Sequence, residues 1–358
     1  MKTAVIALTK NGCKTAMLLH RELEKESEVS VFLKDTAAPI SLEKNKNIHV
    51  FPQKLKDLIA TIYAEFDAYI MVMATGIVFR TFAPYIEHKT IDPAIVVMDE
   101  KAQFCISLLS GHLGGANALA QQVATMMGAT PVITTATDVN GLIAFDNVAK
   151  ANDCAIENID ALPHISGAMV NGETVGLKSD IPIENLRSGD TQTFFLINEH
   201  GDNICKNNVI ISNSLSDPLG EHTLYLRPRN LVLGVGCRKN TPFEQLNDAL
   251  LDFLRVKGYS LLSLRAMASI DLKKNEKGLL ELAQTYRLPF LTFTNEELKH
   301  VGNVTGTSAF VEKVTGTPSV SQAAALTASN GGKTIVEKTI YPGITFSLAE
   351  EPFTITIS

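Results

Sequence analysis

The sequence Ala68-Tyr69-Ile70-Met71-Val72-Met73-Ala74-Thr75-Gly76-Ile77 joins an apolar run to a turn of small residues. A continuous apolar run of this length indicates a strand buried on both faces, and the segment that follows, 77–86, has helical periodicity. The same alternation of short apolar runs and helical segments extends over the first 150 residues. The pattern predicts a doubly wound, mostly parallel α/β domain with helices on both faces of the sheet.

The predicted elements of this domain alternate along the chain. Strands are predicted at 3–8, 29–33, 68–73, 94–98 and 131–134, and helices at 13–25, 55–66, 77–86 and 117–127. The charged segment Met98-Asp99-Glu100-Lys101-Ala102 separates two apolar runs, so 94–98 and 104–108 are predicted to pair as a hairpin at one edge of the sheet.

Two further domains are predicted after residue 150. Periodicity weakens over 151–229, where Asn171-Gly172 between apolar runs predicts a two-residue hairpin in a small α+β middle domain. Arg227-Pro228-Arg229 marks the end of that domain. A second α/β pattern then predicts strands at 231–235, 261–264, 290–293 and 334–336, and helices at 242–256, 276–286, 295–299 and 320–329. The domains are therefore expected at 1–150, 151–229 and 230–358.

Composition argues against several classes of function. The formal net charge is −6 over 358 residues, so no basic surface is expected to bind nucleic acid or an anionic membrane. The apolar runs are far shorter than the ~20 residues that span a bilayer, and the first residues do not resemble a signal peptide. The five cysteines are scattered without a Cys-x-x-Cys pair, which is typical of the reducing cytoplasm and predicts no metal site.

The most informative motif is Ser110-Gly111-His112-Leu113-Gly114-Gly115-Ala116-Asn117. Its glycines allow a close approach of the backbone to a ligand, and an imidazole titrates near neutral pH as an acid or a base. The alternative interpretation is an ordinary turn whose histidine lies at the surface.

Three other stretches of the first domain carry polar groups near predicted strand ends. Thr75 and Gly76 begin a helix whose amides can bind an anion, and Arg80 lies one turn further on. Asp138 follows a hydroxyl-rich segment, where it either caps a helix predicted at 142–150 or assists His112. These segments are predicted at strand ends of one sheet, so the loops of Asp138 and His112 are expected to meet.

The carboxyl-terminal half offers Gly234-Val235-Gly236-Cys237-Arg238-Lys239 before a helix. Arg238 and Lys239 suit the binding of substrate carboxylates, although a solvated basic turn is the alternative. Thr241, Pro242 and Glu244 predict a capping box at the start of the helix. The glycine spacing is incomplete for a dinucleotide fingerprint, which disfavours a nicotinamide-dependent oxidoreductase. Cys237 is interpreted as a structural thiol, and Ser319 as a helix cap that contacts ligand.

Five segments in this order resemble the cobalt-precorrin-5A hydrolase family of anaerobic cobalamin biosynthesis. They are Ala74-Thr75-Gly76-Ile77-Val78, Ser110-Gly111-His112-Leu113-Gly114-Gly115-Ala116-Asn117, Gly234-Val235-Gly236-Cys237-Arg238-Lys239, Ser269-Ile270-Asp271-Leu272-Lys273 and Pro318-Ser319-Val320-Ser321-Gln322-Ala323-Ala324-Ala325-Leu326. The resemblance covers nearly the whole chain. It implies an amino-terminal domain, a variable middle and a separate carboxyl-terminal domain.

The resemblance also implies a reaction and a substrate. Water opens the δ-lactone on the ring-A acetate of cobalt-precorrin-5A, and acetaldehyde leaves to give cobalt-precorrin-5B. The cobalt belongs to the corrinoid substrate, so no cofactor of the protein's own is expected. Neighbouring enzymes of the pathway are candidate partners. The alternative function is a non-catalytic carrier that binds the corrinoid and passes it on.

This chemistry requires an activated water, donors for an oxyanion and groups that hold carboxylates. We expect His112 to be the acid–base group, assisted by Asp138 or Asp99. Donors of hydrogen bonds to the substrate are expected among glycines, hydroxyls and cations of the motifs, namely Thr75, Gly76, Arg80, Ser110, Gly111, Gly114, Gly115, Asn117, Gly236, Arg238, Lys239 and Ser319.

Overall fold

A computed structural model describes residues 1–39, 45–184, 194–197, 203–299 and 320–357. The chain divides into two units, Met1–Asn147 and Val148–Ser358. None of the helices in the described ranges has both the length and the apolar character that a membrane crossing needs.

The first unit is built on one seven-stranded sheet. Its elements are β1 (Lys2–Ala7), α1 (Lys10–Leu23), β2 (Glu28–Lys34), β3 (Ile48–Phe51), α2 (Leu55–Ile62), β4 (Ala68–Val72), α3 (Thr75–Phe82), β5 (Ala94–Met98), β6 (Phe104–Leu109), α4 (Ala116–Met127), β7 (Thr130–Val132), α5 (Ala136–Val139) and α6 (Phe145–Ala151), the last crossing the division between the units. The strand order is β3-β2-β1-β4-β5-β6-β7. Short 3₁₀ turns, Tyr63–Glu65 and Ala83–Tyr85, extend α2 and α3.

Alternate side chains of the central strands pack on opposite faces of the sheet. Val5, Ile70 and Val96 belong to one buried cluster with α1 and α4. Ile6 and Met71 belong to the other, with α2 and α3. Helices on both faces account for the uninterrupted apolar runs of β4 and β5, and the structure confirms the predicted doubly wound α/β fold.

The direction of β6 decides which loops meet. Every pairing in this sheet is parallel except that of β5 with β6, where Met98 lies opposite Cys105 and Ile95 opposite Leu109. The predicted hairpin of 94–98 with 104–108 is therefore confirmed. It does not form the edge, because β7 pairs in parallel with the outer side of β6. Residues that follow β6 and β7 consequently lie at the edge where the parallel strands begin.

The second unit contains two five-stranded sheets. Its elements are β8 (Cys154–Ile156), α7 (Leu162–Val170), β9 (Val175–Ser179), β10 (Ile183–Glu184), β11 (Phe194–Leu196), β12 (Asn207–Ile211), β13 (His222–Pro228), β14 (Leu231–Cys237), α8 (Phe243–Lys257), β15 (Leu264–Ile270), α9 (Lys277–Thr285), β16 (Phe290–Phe293), α10 (Asn295–Lys299), α11 (Val320–Ala328), β17 (Lys333–Tyr341), β18 (Ile344–Glu350) and β19 (Ile355–Thr356).

The strand order is β11-β9-β12-β13-β8 in the first of these sheets and β16-β15-β14-β18-β17 in the second, while β10 pairs with β19. In the first sheet only β8 runs antiparallel to its neighbour, β13. In the second, β14, β15 and β16 are parallel, and β18 and β17 continue the sheet antiparallel. Helices α8 and α9 pack on one face of the second sheet, and α10 and α11 on the other.

The predicted hairpin at Asn171-Gly172 is wrong. The apolar run before it is the last turn of helix α7, and Gly172 has φ +77. The amides of Gly172 and Glu173 donate to the carbonyls of Met169 (3.1 Å) and Ala168 (2.9 Å). An Asn-Gly pair ends a helix as readily as it makes a hairpin turn, because glycine adopts the left-handed conformation without cost to a Cβ.

Two other local predictions in the second unit are also corrected. The predicted capping box is absent, because Pro242 itself is the N-cap and the Thr241 hydroxyl donates to the Arg238 carbonyl at 2.8 Å. The strand expected at 261–264 begins only at Leu264, after a 3₁₀ turn whose Ser260 cap accepts from the Leu262 amide at 3.3 Å. In both places a hydroxyl forms a hydrogen bond with the backbone nearby, and the helix or strand begins later than predicted.

Candidate functional site

The loop at 110–115, between β6 and α4, folds back over the start of the helix. The backbone amides of Ala116 and Asn117 donate to the carbonyls of Ser110 (3.1 Å) and Gly111 (3.0 Å). Two of the amides that a helix start offers to an anion are therefore already used within the loop. The predicted anion site at this helix start is correspondingly smaller than the glycine-rich sequence indicates.

Glycines of this loop serve packing as well as conformation. A Cβ at Gly111 would lie 2.7 Å from Asn117 Oδ1, and a Cβ at Gly114 would lie 2.4 Å from Ser110 Cβ. Gly115, the N-cap of α4, has φ +91. The amides of Gly114 and Gly115 donate to no acceptor among the described residues, so they keep the predicted capacity to bind an oxyanion.

The imidazole of His112 lies between two carboxylates. Its Nε2 is 2.6 Å from Asp138 Oδ2, and its Nδ1 is 3.2 Å from Asp146 Oδ2. Thr137 Oγ1 lies 3.3 Å from Nε2. The side chains of His112 and Asp146 are 12% and 9% exposed, whereas that of Asp138 is 32% exposed. The structure thus confirms that the loops of His112 and Asp138 meet, and Asp138 is the member of the cluster that reaches solvent.

The carboxylates change the protonation of His112. The hydrogen bond that the ring donates to Asp146, followed by the one that it donates to Asp138, raises the pKa of His112 from 6.5 to about 9, against the opposing effect of burial. The raised pKa favours the imidazolium form of His112 at neutral pH. A cationic ring cannot accept a proton from water, but it can donate one or stabilise negative charge.

Asn117 holds Asp138 in place. Its Nδ2 donates to Asp138 Oδ2 and to Thr135 Oγ1, both at 3.0 Å, and its Oδ1 accepts from Ser107 Oγ at 2.6 Å. Both amide hydrogens of this buried side chain are engaged, so Asn117 orients the carboxylate and is not the oxyanion donor that the motif predicted. Asp138 Oδ2 receives both donors, while Oδ1 has no donor among the described residues.

Asp99 does not reach this cluster. Its carboxylate accepts from the amides of Lys101 (2.9 Å), Gln103 (2.8 Å) and Phe104 (2.7 Å) in its own hairpin turn. That turn lies at the opposite edge of the sheet from His112, because β5 and β6 are antiparallel. The second carboxylate that contacts His112 is that of Asp146, which the sequence analysis did not identify.

The opposite edge carries a separate crevice, where β1 and β4 end and the strand order reverses. Its cavity of about 490 Å³ is mostly apolar and is lined by Leu8, Thr9, Val72, Met73, Ala74, Thr75, Ile77, Val97, Asp99, Glu100, Phe104, Ile106 and Val132. Thr75 begins α3, and the guanidinium of Arg80 lies 3.4 Å from the position of a Cβ on Gly76. Thr75, Gly76 and Arg80 are therefore brought together, but away from His112.

Glu100 is a second polar group that the sequence analysis missed. Its Oε2 accepts from Thr9 Oγ1 at 2.7 Å, its Oε1 from Asn11 Nδ2 at 3.4 Å, and its carbonyl from Thr15 Oγ1 at 2.8 Å. These bonds tie the hairpin turn after β5 to the start of α1. The sequence signal was a carboxylate directly after a buried parallel strand.

The predicted residues of the second unit have mainly structural partners. A Cβ at Gly236 would lie 2.5 Å from Thr345 Oγ1 on the neighbouring strand. The side chains of Arg238 and Lys239 are exposed. Burial raises the pKa of the Cys237 thiol, in agreement with a structural role. Ser319 lies outside the described residues.

The described residues contain no group of three or more histidine, cysteine or acidic side chains arranged to hold a metal ion. The structure therefore assigns no metal centre within these ranges. The chemistry that it does assemble is a charged imidazole with two carboxylates and two glycine amides.

Comparison with known proteins places the chain in a family. Three family models match it, Cobalamin synthesis G N-terminal at residues 57–138, Cobalamin biosynthesis central region at 143–228 and Cobalamin synthesis G C-terminus at 231–349. A cobalt-precorrin-5A hydrolase of Salmonella typhimurium is 38% identical over 294 residues, which are 80% of this chain and 82% of that protein. The chain belongs to the cobalt-precorrin-5A hydrolase family.

Another member of this family, from Priestia megaterium, is 29% identical over 362 residues, 98% of this chain and 95% of that protein. A solved structure of CobE, a protein from the cobalamin (vitamin B12) biosynthetic pathway, is 31% identical and covers 34% of this chain and 89% of its own, with a TM-score of 0.32. The matches to hydrolases extend over most of the chain, and the family models follow the order of the three predicted regions.

Proposed function

We propose that this protein hydrolyses the δ-lactone of cobalt-precorrin-5A and releases acetaldehyde to give cobalt-precorrin-5B. The observation that carries the proposal is the 38% identity to a cobalt-precorrin-5A hydrolase over 82% of that protein. The cobalt enters as part of the substrate. No finding favours the alternative of a non-catalytic carrier.

We assign the proton transfers to Asp138 with support from His112. The side chain of Asp138 is 32% exposed. Its Oδ1 has no donor among the described residues, while its Oδ2 is held by His112 Nε2 and Asn117 Nδ2. Because His112 is already protonated at neutral pH, the carboxylate is the group that accepts a proton from the attacking water. The imidazolium orients it and stabilises negative charge that develops nearby.

The same carboxylate serves both stages of the reaction. Water loses a proton to Asp138 Oδ1 as its oxygen bonds to the lactone carbonyl, and the amides of Gly114 and Gly115 bind the oxyanion that forms. When the carbon–oxygen bond breaks, Asp138 returns the proton to the leaving alkoxide. Asp138 then removes the proton of this hydroxyl, the carbon–carbon bond breaks, and acetaldehyde leaves. The electron pair passes into the conjugated macrocycle, which is protonated in turn.

The activity is tested with the purified chain and cobalt-precorrin-5A under anaerobic conditions. Trapped acetaldehyde and a corrinoid mass that has gained one water and lost one C₂H₄O are the expected products. A carrier would alter the absorption spectrum of the corrinoid without either product, and that result would overturn the proposal.

The catalytic assignment is tested separately with Asp138→Asn and His112→Ala. Loss of a positioned acid–base group lowers rates about 100-fold or more, so turnover of Asp138→Asn should fall by at least that factor. Unchanged turnover of His112→Ala would remove the histidine from the mechanism, and unchanged turnover of Asp138→Asn would remove the carboxylate. Exposed Asp57, in the first turn of α2, provides the control variant Asp57→Asn.

A further inference from the structure

Asp146 contacts the ring nitrogen of His112 that Asp138 does not reach. It lies in the first turn of α6, whereas Asp138 lies on α5, so the two carboxylates approach the imidazole from different helices. Asp146 Oδ2 is 3.2 Å from Nδ1, and the carboxylate is 9% exposed. No part of the proposed reaction uses it.

We propose that Asp146 is a positioning residue, which fixes the ring of His112 and keeps it cationic, so that Asp138 remains the proton acceptor of the reaction. The proposal deepens the hydrolase function and rests on it. If Asp146 keeps His112 cationic, the base of the reaction is the carboxylate of Asp138 and not the histidine.

Hydrogen-bond capacity supports this assignment. An ionised carboxylate only accepts hydrogen bonds, so an imidazole that bonds to a carboxylate through each nitrogen needs a hydrogen on both, and such a ring is an imidazolium. In a Ser-His-Asp triad a single carboxylate holds Nδ1–H and leaves Nε2 free to take a proton from the nucleophile. Here Nε2 faces Asp138 at 2.6 Å, so that role is closed to His112.

Charge and burial act in the same direction. The charged groups that act on the His112 ring are Asp138 from α5 and Asp146 from α6. The neighbouring side chains of Asn117 and Thr137 are uncharged. Asp146 makes the largest contribution to the raised pKa of His112, and its low exposure limits the screening of its charge by water.

The test uses the full chain and the variant Asp146→Asn, which keeps the size of the side chain and removes its charge. The pKa of His112 is measured by NMR titration of the ring, with the resonance assigned by its loss in His112→Gln. We expect a pKa of about 9 in the unsubstituted protein and a clearly lower pKa in Asp146→Asn, where Asp138 is the one remaining carboxylate that raises it. Asp57→Asn removes a first-turn aspartate elsewhere in the unit and should leave the titration unchanged.

Turnover gives the second measurement. A lower pKa leaves a smaller fraction of His112 cationic at alkaline pH, so turnover of Asp146→Asn should fall at pH 8 and above and stay close to that of the unsubstituted protein near pH 6. Asp146→Glu restores the charge and should move the alkaline limb of the pH profile back upward. A merely structural aspartate would lower turnover equally at every pH.

The two proposals fail in different ways. An unchanged His112 titration in Asp146→Asn, or a loss of turnover that does not depend on pH, would overturn the role of Asp146 while leaving the hydrolase function intact. Absence of acetaldehyde from the unsubstituted protein would overturn the hydrolase function, and the NMR titration would still decide whether Asp146 keeps His112 cationic.

Discussion

The charged cluster around His112 predicts a specific dependence of stability on pH. A histidine whose pKa is raised in the folded state binds its proton more tightly there than in the unfolded chain. The rise from 6.5 to about 9, at ~1.36 kcal/mol for each pH unit, corresponds to about 3 kcal/mol. His112 is only 12% exposed, so little of this is lost to solvent screening. The stabilisation is complete below pH 6.5 and disappears as pH rises through about 9.

The perturbation is His112→Gln, which retains a donor but cannot titrate. Guanidinium unfolding of both proteins is followed by circular dichroism near pH 6 and near pH 9.5, with the transition of the first unit fitted on its own. The unsubstituted protein should lose about 3 kcal/mol more of its free energy of unfolding than His112→Gln does when the pH is raised from 6 to 9.5. His88 is exposed, and His88→Gln serves as the control. A difference between His112→Gln and the unsubstituted protein that is equal at both pH values would refute the charged state of the cluster.

Three further substitutions test the surroundings of single residues. A Cβ at Gly234 would lie 1.8 Å from the Ser321 carbonyl oxygen, so Gly234→Ala should lower the stability of the second unit by about 1–3 kcal/mol in thermal denaturation. Gly167 lies in α7 with open space around it, so Gly167→Ala should instead raise stability by about 0.5–1 kcal/mol. Asn117→Asp would replace the amide that donates to Asp138 with a second carboxylate, and turnover at neutral pH should fall.

Most elements of the first unit could be predicted from the hydrophobic pattern, because the burial of central strands and of one face of each helix produces that pattern. The strand at 94–98 was predicted without error and the other five predicted strands lay within two residues of the observed bounds, whereas β3 was missed. Prediction failed where a polar side chain makes a local bond that the apolar pattern does not show. Thr241 and Ser260 are examples, since each hydroxyl bonds to the backbone nearby and moves the start of an element.

The candidate site was predictable in part, because two of its loops follow strands that are neighbours in the sheet. His112 and Asp138 follow neighbouring parallel strands, β6 and β7, and the adjacency of the two loops follows from that pairing. Asp146 gave no such signal, because it lies inside a helix and reaches Nδ1 only through the position of α6. The state of the imidazole depends on this unforeseen contact. The sequence motif therefore identifies the histidine but does not show whether it acts as an acid or as a base.

The chain reverses at the hairpin turn between β5 and β6. This reversal separates Asp99 from His112, which the sequence analysis expected to act together. In a wholly parallel sheet the loops of Asp99 and His112 would share one edge. Because β6 runs antiparallel to β5, the five residues of β5 place ~13 Å of strand between those edges. Thr75, Gly76 and Arg80 share the edge of Asp99 and not that of His112. The second carboxylate of the cluster comes from α6, the second helix after β7, as Asp146.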